Sequence, residues 1–233
     1  MKCQFNFDHL ENIFLKLKTG GHQSIFFSEA FNSGLPKKAV ILRHDLDQDL
    51  ETALVIAQLE SQYELKATFF VWLESPFYNP FEPRNAETIH KILNLGHAVG
   101  LHIEVNKEDV LGDLPQIITV QAKLLESFFA VDCQTVSFHR PNKELLNYNQ
   151  IIGNRLNAYA PYLIDNFHYV SDSRGIWQEE CVCKQVNQYK YPYLYLLLHP
   201  LWWGNEDLAP NSRVQKYIQH KIGQLEDNCR LHI

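Results

Sequence analysis

The chain has 233 residues, 45% of them hydrophobic and 21% charged. That balance excludes a disordered chain and suffices to bury the core of one barrel or doubly wound α/β unit. The formal net charge is -6 and the densest basic run is Pro36-Lys37-Lys38, so a nucleic-acid partner, which demands a basic face, is excluded and a small-molecule or neutral-polymer substrate is expected. No stretch reaches the roughly 18 apolar residues of a membrane span. The 5 cysteines, Cys3, Cys133, Cys181, Cys183 and Cys229, are odd in number and scattered, unlike a secreted disulfide framework. With no apolar run after Met1, these features predict a cytoplasmic setting. The oligomeric state is left open.

Phe7, Leu10, Phe14 and Leu17 recur at helical spacing and predict a helix over 8–18, ended by Gly20-Gly21. A short ordered element falls at Ile25-Phe26-Phe27. Ala39-Val40-Ile41-Leu42 reads as a buried parallel strand opening onto Arg43-His44-Asp45-Leu46-Asp47. Asp49 caps the next helix, with Ala53, Ile56, Ala57 and Leu59 inward. Ala67–Trp72 is a second strand, followed by a proline-rich surface loop over 75–83. A helix over 84–94 ends at Gly96, and Ala98–His102 is a third strand. Asp113 with Gln116 forms a capping-box pattern ahead of Ile117, Val120, Leu124 and Phe128. Thr135–Phe138 is a fourth strand. A helix over 144–156, a fifth strand over 162–167, a strong last strand over 193–198 and a closing helix over 211–225 complete the chain. This alternation forces parallel strands; periodicity alone does not separate a barrel from an open wound sheet. No linker divides the chain, so residues 1–233 are expected to form a single domain on which residues 1–38 pack as an N-terminal extension.

The apolar strand runs end repeatedly in groups that ligate metals or move protons: Asp45 and Asp47, His102 and Glu104, His139 and Arg140, and His199. In parallel α/β folds the carboxyl ends of the strands converge on the ligand site. Of two carboxylates two residues apart, one can bind a divalent metal while the other accepts a proton from water. His102 offers a metal ligand through one ring nitrogen, and Glu104 or Asn106 can complete the set. Arg140, directed by Pro141, can pair with a catalytic carboxylate. His199 suits general acid work. Asp172 and Trp177, Trp202 beside His199, and His139 are candidate pocket residues, although the indoles serve equally as core. There is no GxSxG, GxGxxG, GxxxxGK or HExxH motif, which argues against serine hydrolases, dinucleotide enzymes and nucleotide hydrolases.

Arg43-His44-Asp45-Leu46-Asp47, Gly96-His97-Ala98-Val99-Gly100-Leu101-His102, Phe138-His139-Arg140-Pro141, Asp172-Ser173-Arg174-Gly175-Ile176-Trp177 and Leu198-His199-Pro200, in that order, resemble the motifs of the polysaccharide deacetylase superfamily of metal-dependent carbohydrate esterases. The likeness is closest to a divergent bacterial branch with an Arg-His-Asp-x-Asp first motif. It implies a distorted (β/α) barrel of about seven parallel strands, Asp45 as base, Asp47 and His102 as metal ligands, Arg140 orienting the base, His199 as general acid and Trp177 walling an acetyl pocket, with zinc the commonest metal. The reaction implied is removal of an N-acetyl group from an amino sugar or polysaccharide. Two departures stand out: Asn106 occupies the place of the family's second motif histidine, and Leu46 separates two acids that are usually adjacent. The first leaves a catalytically weak or inactive carbohydrate-binding scaffold as the rival reading; a hydrolase of another amide or ester is the third.

Overall fold

A computed structural model describes residues 3–31, 34–105, 113–146, 148–178, 180–187 and 191–231. In chain order the elements are α1 (Phe7–Thr19), β1 (Gln23–Ser24), α2 (Phe27–Ala30), β2 (Ala39–Leu46), α3 (Leu50–Gln62), β3 (Thr68–Trp72), α4 (Pro83–Asn94), β4 (Ala98–Glu104), α5 (Leu114–Phe129), β5 (Thr135–His139), α6 (Lys143–Leu146), β6 (Ile151–Ile152), β7 (Arg155–Asn157), α7 (Pro161–Asn166), β8 (His168–Ser171), α8 (Val182–Asn187), β9 (Tyr193–Leu198) and α9 (Pro210–Leu231). The strands form one sheet in the order β6-β7-β5-β4-β3-β2-β9-β8, with β1 added beside β2. Every pairing is parallel except the β6–β7 hairpin. This curled, mostly parallel half-barrel is the distorted (β/α) barrel expected from the sequence. Among the described residues no helix is long and apolar enough to cross a membrane.

Strand alternation sorts the side chains onto two faces. On β2, Val40, Leu42 and Leu46 join the core between sheet and helices, whereas Ala39 and Ile41 join the inner cluster with Phe27, Phe70 and Tyr195. Phe27 of α2 fills the bottom of the half-barrel, meeting Phe70 and Tyr195 edge-on at 5.6 and 5.5 Å. On the outer face, His44 Nε2 lies 2.8 Å from Glu60 Oε1. His97 donates from Nε2 to the Ala57 carbonyl at 3.0 Å and accepts from Ala67 N at Nδ1. Both histidines are buried and serve packing.

Three expected elements differ. Of the helix expected over 144–156 only the first turn, within Lys143–Leu146, is helical; Gly153 and Asn154 take positive φ (56° and 60°) and turn the chain into the β6–β7 hairpin. Residues 161–166 are helical, with Pro161 in the first turn, and the strand begins at His168. On α5 the buried stripe is Leu114, Ile118, Ala122, Leu125 and Phe129, leaving Val120, Leu124 and Phe128 exposed. Asp113 caps nothing with its side chain, because its backbone is helical (φ -90°, ψ -13°) rather than extended.

Gly100 sits on the inner face of β4, where an added Cβ would come within 2.6 Å of the Phe70 ring and 3.1 Å of the Thr135 carbonyl. Gly100→Ala is expected to cost about 1–3 kcal/mol through overpacking, read as a lower urea midpoint; an unchanged midpoint would show that the Phe70 ring gives way freely.

Candidate active site

The inner-face parity of β2 continues past Ile41 to Arg43 and Asp45, so both charges point into the half-barrel. Arg43 has no exposed surface. Its Nε and Nη2 donate to the two Asp45 oxygens at 2.7 and 2.8 Å, its Nη1 donates to Tyr195 Oη at 2.9 Å and its Nη2 also to Tyr159 Oη at 2.8 Å. The guanidinium lies 4.5 Å over the Tyr159 ring. Burial alone would favour a neutral Asp45, but the Arg43 charge outweighs it and the carboxyl stays below its ordinary range.

One turn of backbone further, Asp47 meets two imidazoles. His102 Nε2 on β4 lies 3.0 Å from Asp47 Oδ1, and His139 Nδ1 at the end of β5 lies 3.1 Å from the same oxygen. The ligand atoms of all three lie within 4.8 Å of one another. His102 Nδ1 is engaged by Ser137 Oγ at 2.6 Å, which leaves Nε2 as the ligating nitrogen. That nitrogen is buried and makes no aligned hydrogen bond, although Asp47 is in reach. Ligand atoms about 2.0–2.2 Å from one ion stand about 3 Å apart or a little more, so an orphaned nitrogen, a carboxylate and a second imidazole fit a divalent cation. Burial would raise the Asp47 pKa, yet the imidazoles of His102 and His139 close beside it hold it well below the usual range. Trp72, at the end of β3, stacks on His139 at 4.5 Å and presents its edge to His102, fixing both rings.

His199, just past β9, is held from behind. Its Nδ1 lies 2.7 Å from Asp172 Oδ1, and its backbone N–H donates to the same carboxylate at 3.0 Å. Trp203 Nε1 donates to Asp172 Oδ2 at 2.8 Å. Burial opposes a charged His199, but the Asp172 carboxylate raises its pKa to about 9. Asp45, Asp47, His102, His139, Arg140, Trp202 and His199 all line one cavity of about 1160 Å³.

The expected site residues therefore divide. Asp45, Asp47, His102 and His199 converge, and Trp202 lines the same space. His139 is a member of the ligand cluster rather than only a wall. Glu104, in register with His139, is not among the convergent ligand groups, and Asn106 lies outside the described residues. Arg43, not Arg140, grips Asp45. Arg140 is exposed and takes a left-handed backbone (φ 47°) instead of the extended one expected before proline, which turns it along the cavity wall. Asp172 is fully buried behind His199, and Trp177 turns away to stack on Phe5 at 5.7 Å. Arg43, Ser137 and Trp72 were not expected to serve the site; their signal is inward strand parity shared with the reactive residues. Trp203, expected with Trp202 to form a lip beside His199 or a packed loop, is buried and donates to Asp172.

No family model matches the chain, and no curated protein matches it. Among solved structures it is similar to the deacetylase PplD of Streptococcus pyogenes in complex with acetate, at 14% identity over 89% of this chain and 85% of that one, with a TM-score of 0.47. It is also similar to a family 4 acetyl xylan esterase from Clostridium thermocellum in complex with a cobalt ion, at 16% identity over 81% and 84% and a TM-score of 0.42. The catalytic domain of a peptidoglycan N-acetylglucosamine deacetylase from Eubacterium rectale is a third, at 16% over 83% and 87% with a TM-score of 0.41.

The raised His199 pKa makes stability depend on pH. A histidine whose folded pKa lies above its unfolded value of about 6.5 contributes fully below that value and loses its contribution as pH rises through the folded value. The wild-type urea midpoint is expected to decline between pH 6.5 and about 9, and Asp172→Asn to flatten the decline. Equal slopes in the two proteins would refute the Asp172–His199 coupling.

Proposed function

We propose that this chain is a metal-dependent hydrolase that removes an N-acetyl group from an amino sugar or polysaccharide, with zinc as the metal. One observation carries the reading: a carboxylate locked by Arg43 and an imidazole locked by Asp172 line the same cavity as the Asp47, His102 and His139 ligand cluster. When bound there, a divalent cation supplies Lewis-acid polarisation of the acyl carbonyl and of water. Asp45, held ionised by Arg43, accepts the proton of the attacking water. Both its oxygens already accept from Arg43, and each keeps a second lone pair for that water. His199 engages Asp172 through Nδ1, so Nε2 carries the proton that leaves with the amine. The elevated pKa keeps that proton in place at neutral pH.

The wall of the cavity supports a sugar-like substrate. Trp202, Phe77, Tyr217 and Tyr169 stand beside polar Gln48 and Ser173, and aromatic faces beside hydrogen-bonding groups suit pyranose rings better than a purely apolar ligand. The volume of about 1160 Å³ exceeds what one small acyl compound fills. The rival scaffold reading drew on Asn106 standing where an imidazole was expected; His139 offers that imidazole from a different strand.

The test is acetate release from N-acetylated chito-oligosaccharides by the zinc-loaded protein. Asp45→Asn and His199→Gln are each expected to lower turnover by roughly 10²–10⁴-fold. Asp47→Asn is expected to remove the metal as well. Because Asp45→Asn also leaves the Arg43 charge buried without its counterion, circular dichroism must accompany it, and His199→Gln serves as the second variant. Full turnover in a folded Asp45→Asn protein defeats the assignment of the base.

A further inference from the structure

The cysteines that look scattered in the sequence gather in space. Cys3, His9 of α1, Cys181 and Cys183 place their ligand atoms within 4.8 Å of one another. Cys3 Sγ lies 3.6 Å from Cys183 Sγ, and His9 Nε2 lies 3.3 Å from Cys181 Sγ. Cys181 immediately precedes α8, which begins at Val182, and both sulfurs face the same point. His9, Cys181 and Cys183 are buried and Cys3 is half-buried.

The spacing is that of ligands around one ion. A disulfide requires sulfurs about 2.05 Å apart. Tetrahedral zinc, with Zn–S about 2.3 Å and Zn–N about 2.0–2.1 Å, puts neighbouring sulfurs about 3.8 Å apart and nitrogen about 3.5 Å from sulfur. Three thiols and one imidazole are a soft donor set that selects zinc over magnesium or calcium. A cationic Lys16 reaches the Cys183 carbonyl at 3.4 Å, offsetting the excess negative charge that three thiolates bring. We propose that Cys3, His9, Cys181 and Cys183 hold one zinc ion in a closed, structural site, separate from the Asp47 cluster.

The site joins segments 180 residues apart in sequence. Between its first two ligands lies Phe5, which stacks on Trp177 and packs against Trp203 at 5.1 Å. Trp203 in turn donates to Asp172. The ion therefore fastens the N-terminal strap over the segment that positions His199. A site with all four positions filled by protein has no place for substrate or water, and its worth lies in stability.

Cobalt(II) distinguishes this site from the other, because only thiolates give intense near-ultraviolet sulfur-to-metal charge transfer. The reduced, chelator-treated full chain is loaded with cobalt and its spectrum recorded. The band is expected in the wild type and in Asp47→Asn, and lost in the Cys181→Ser/Cys183→Ser double variant. Zinc content in that double variant is expected to fall by one ion per chain, and stripping the wild type to lower its melting temperature by several degrees. A folded, reduced, cobalt-loaded wild type without the band overturns the proposal, whatever the variants do. So does a Cys3–Cys183 disulfide found by mass spectrometry in the freshly purified chain, or a double variant that keeps the wild-type zinc content. None of these readouts depends on hydrolase activity.

Discussion

A guanidinium with no exposed surface sits on the interior strand β2, and much of the inner face is arranged around it. An unpaired charge there would cost several kcal/mol, and removing its partner typically costs about 3–5 kcal/mol. Asp45 must therefore stay where Arg43 can grip both its oxygens. The remaining donors go to two phenols. Tyr195 passes its own proton to the Ala158 carbonyl and Tyr159 donates to the Phe138 carbonyl. Through these bonds β2, β5, β9 and the segment after β7 are tied across the mouth of the sheet. The half-barrel is thus braced internally by a saturated polar network, where a closed barrel would use strand pairing. The same network holds Asp45 in one orientation, which suits the proton acceptor proposed for it.

Parity extends the constraint to the other strands. Inner positions two apart pair a packing or supporting residue with a reactive one: Ile41 and Arg43 lead to Asp45, Gly100 precedes His102, Ser137 precedes His139, and Phe70 precedes Trp72. The lower members fill the half-barrel or hold a ring, and of the upper members Asp45, His102 and His139 line the cavity while Trp72 packs against the two imidazoles. Because the strands are parallel, all upper members lie at one end. On the opposite face the same alternation places His44 against Glu60 within the helix layer, a buried pair outside the cavity although it is adjacent in sequence to both Arg43 and Asp45.

This explains what was legible in the sequence. Apolar runs ending in Asp45, Asp47, His102 and His199 disclose both the parallel sheet and the end that carries the site, since both follow from local pattern. The partner of a buried charge was harder to read. Arg140 was the arginine expected at Asp45, whereas the signal for Arg43 is that it stands two residues before Asp45 on β2 and so shares its face. The left-handed backbone at Arg140 is likewise hidden, proline biasing the preceding residue but not forbidding the exception. His139 reads as a wall only while the missing second-motif imidazole is sought close to His102 in sequence; it comes from the neighbouring strand, brought into register by β4–β5 pairing. The segment 144–171 misled for a different reason. Its pattern is compatible with a helix until Gly153-Asn154 is recognised as a two-residue hairpin turn, and the following proline as a helix start.

The position of Trp177 shows how the two ligand clusters bear on each other. The likeness in motif order would turn this indole toward an acetyl group, yet it lies against Phe5 and Trp203. Phe5 is held there from both sides: its N–H donates to Asp207, its carbonyl accepts from Arg213, and the proposed zinc ligands Cys3 and His9 flank it in sequence. With that strap in place the space beside Asp172 is filled by three aromatic rings, and Trp203 is aligned to donate to the carboxylate that sets the charge of His199. The indole left to border the cavity is then Trp202. A soft, closed thiolate site and a harder Asp–His–His cluster beside open space differ in just the respect that separates structural from catalytic metal centres. Fastening one fixes the geometry around the other.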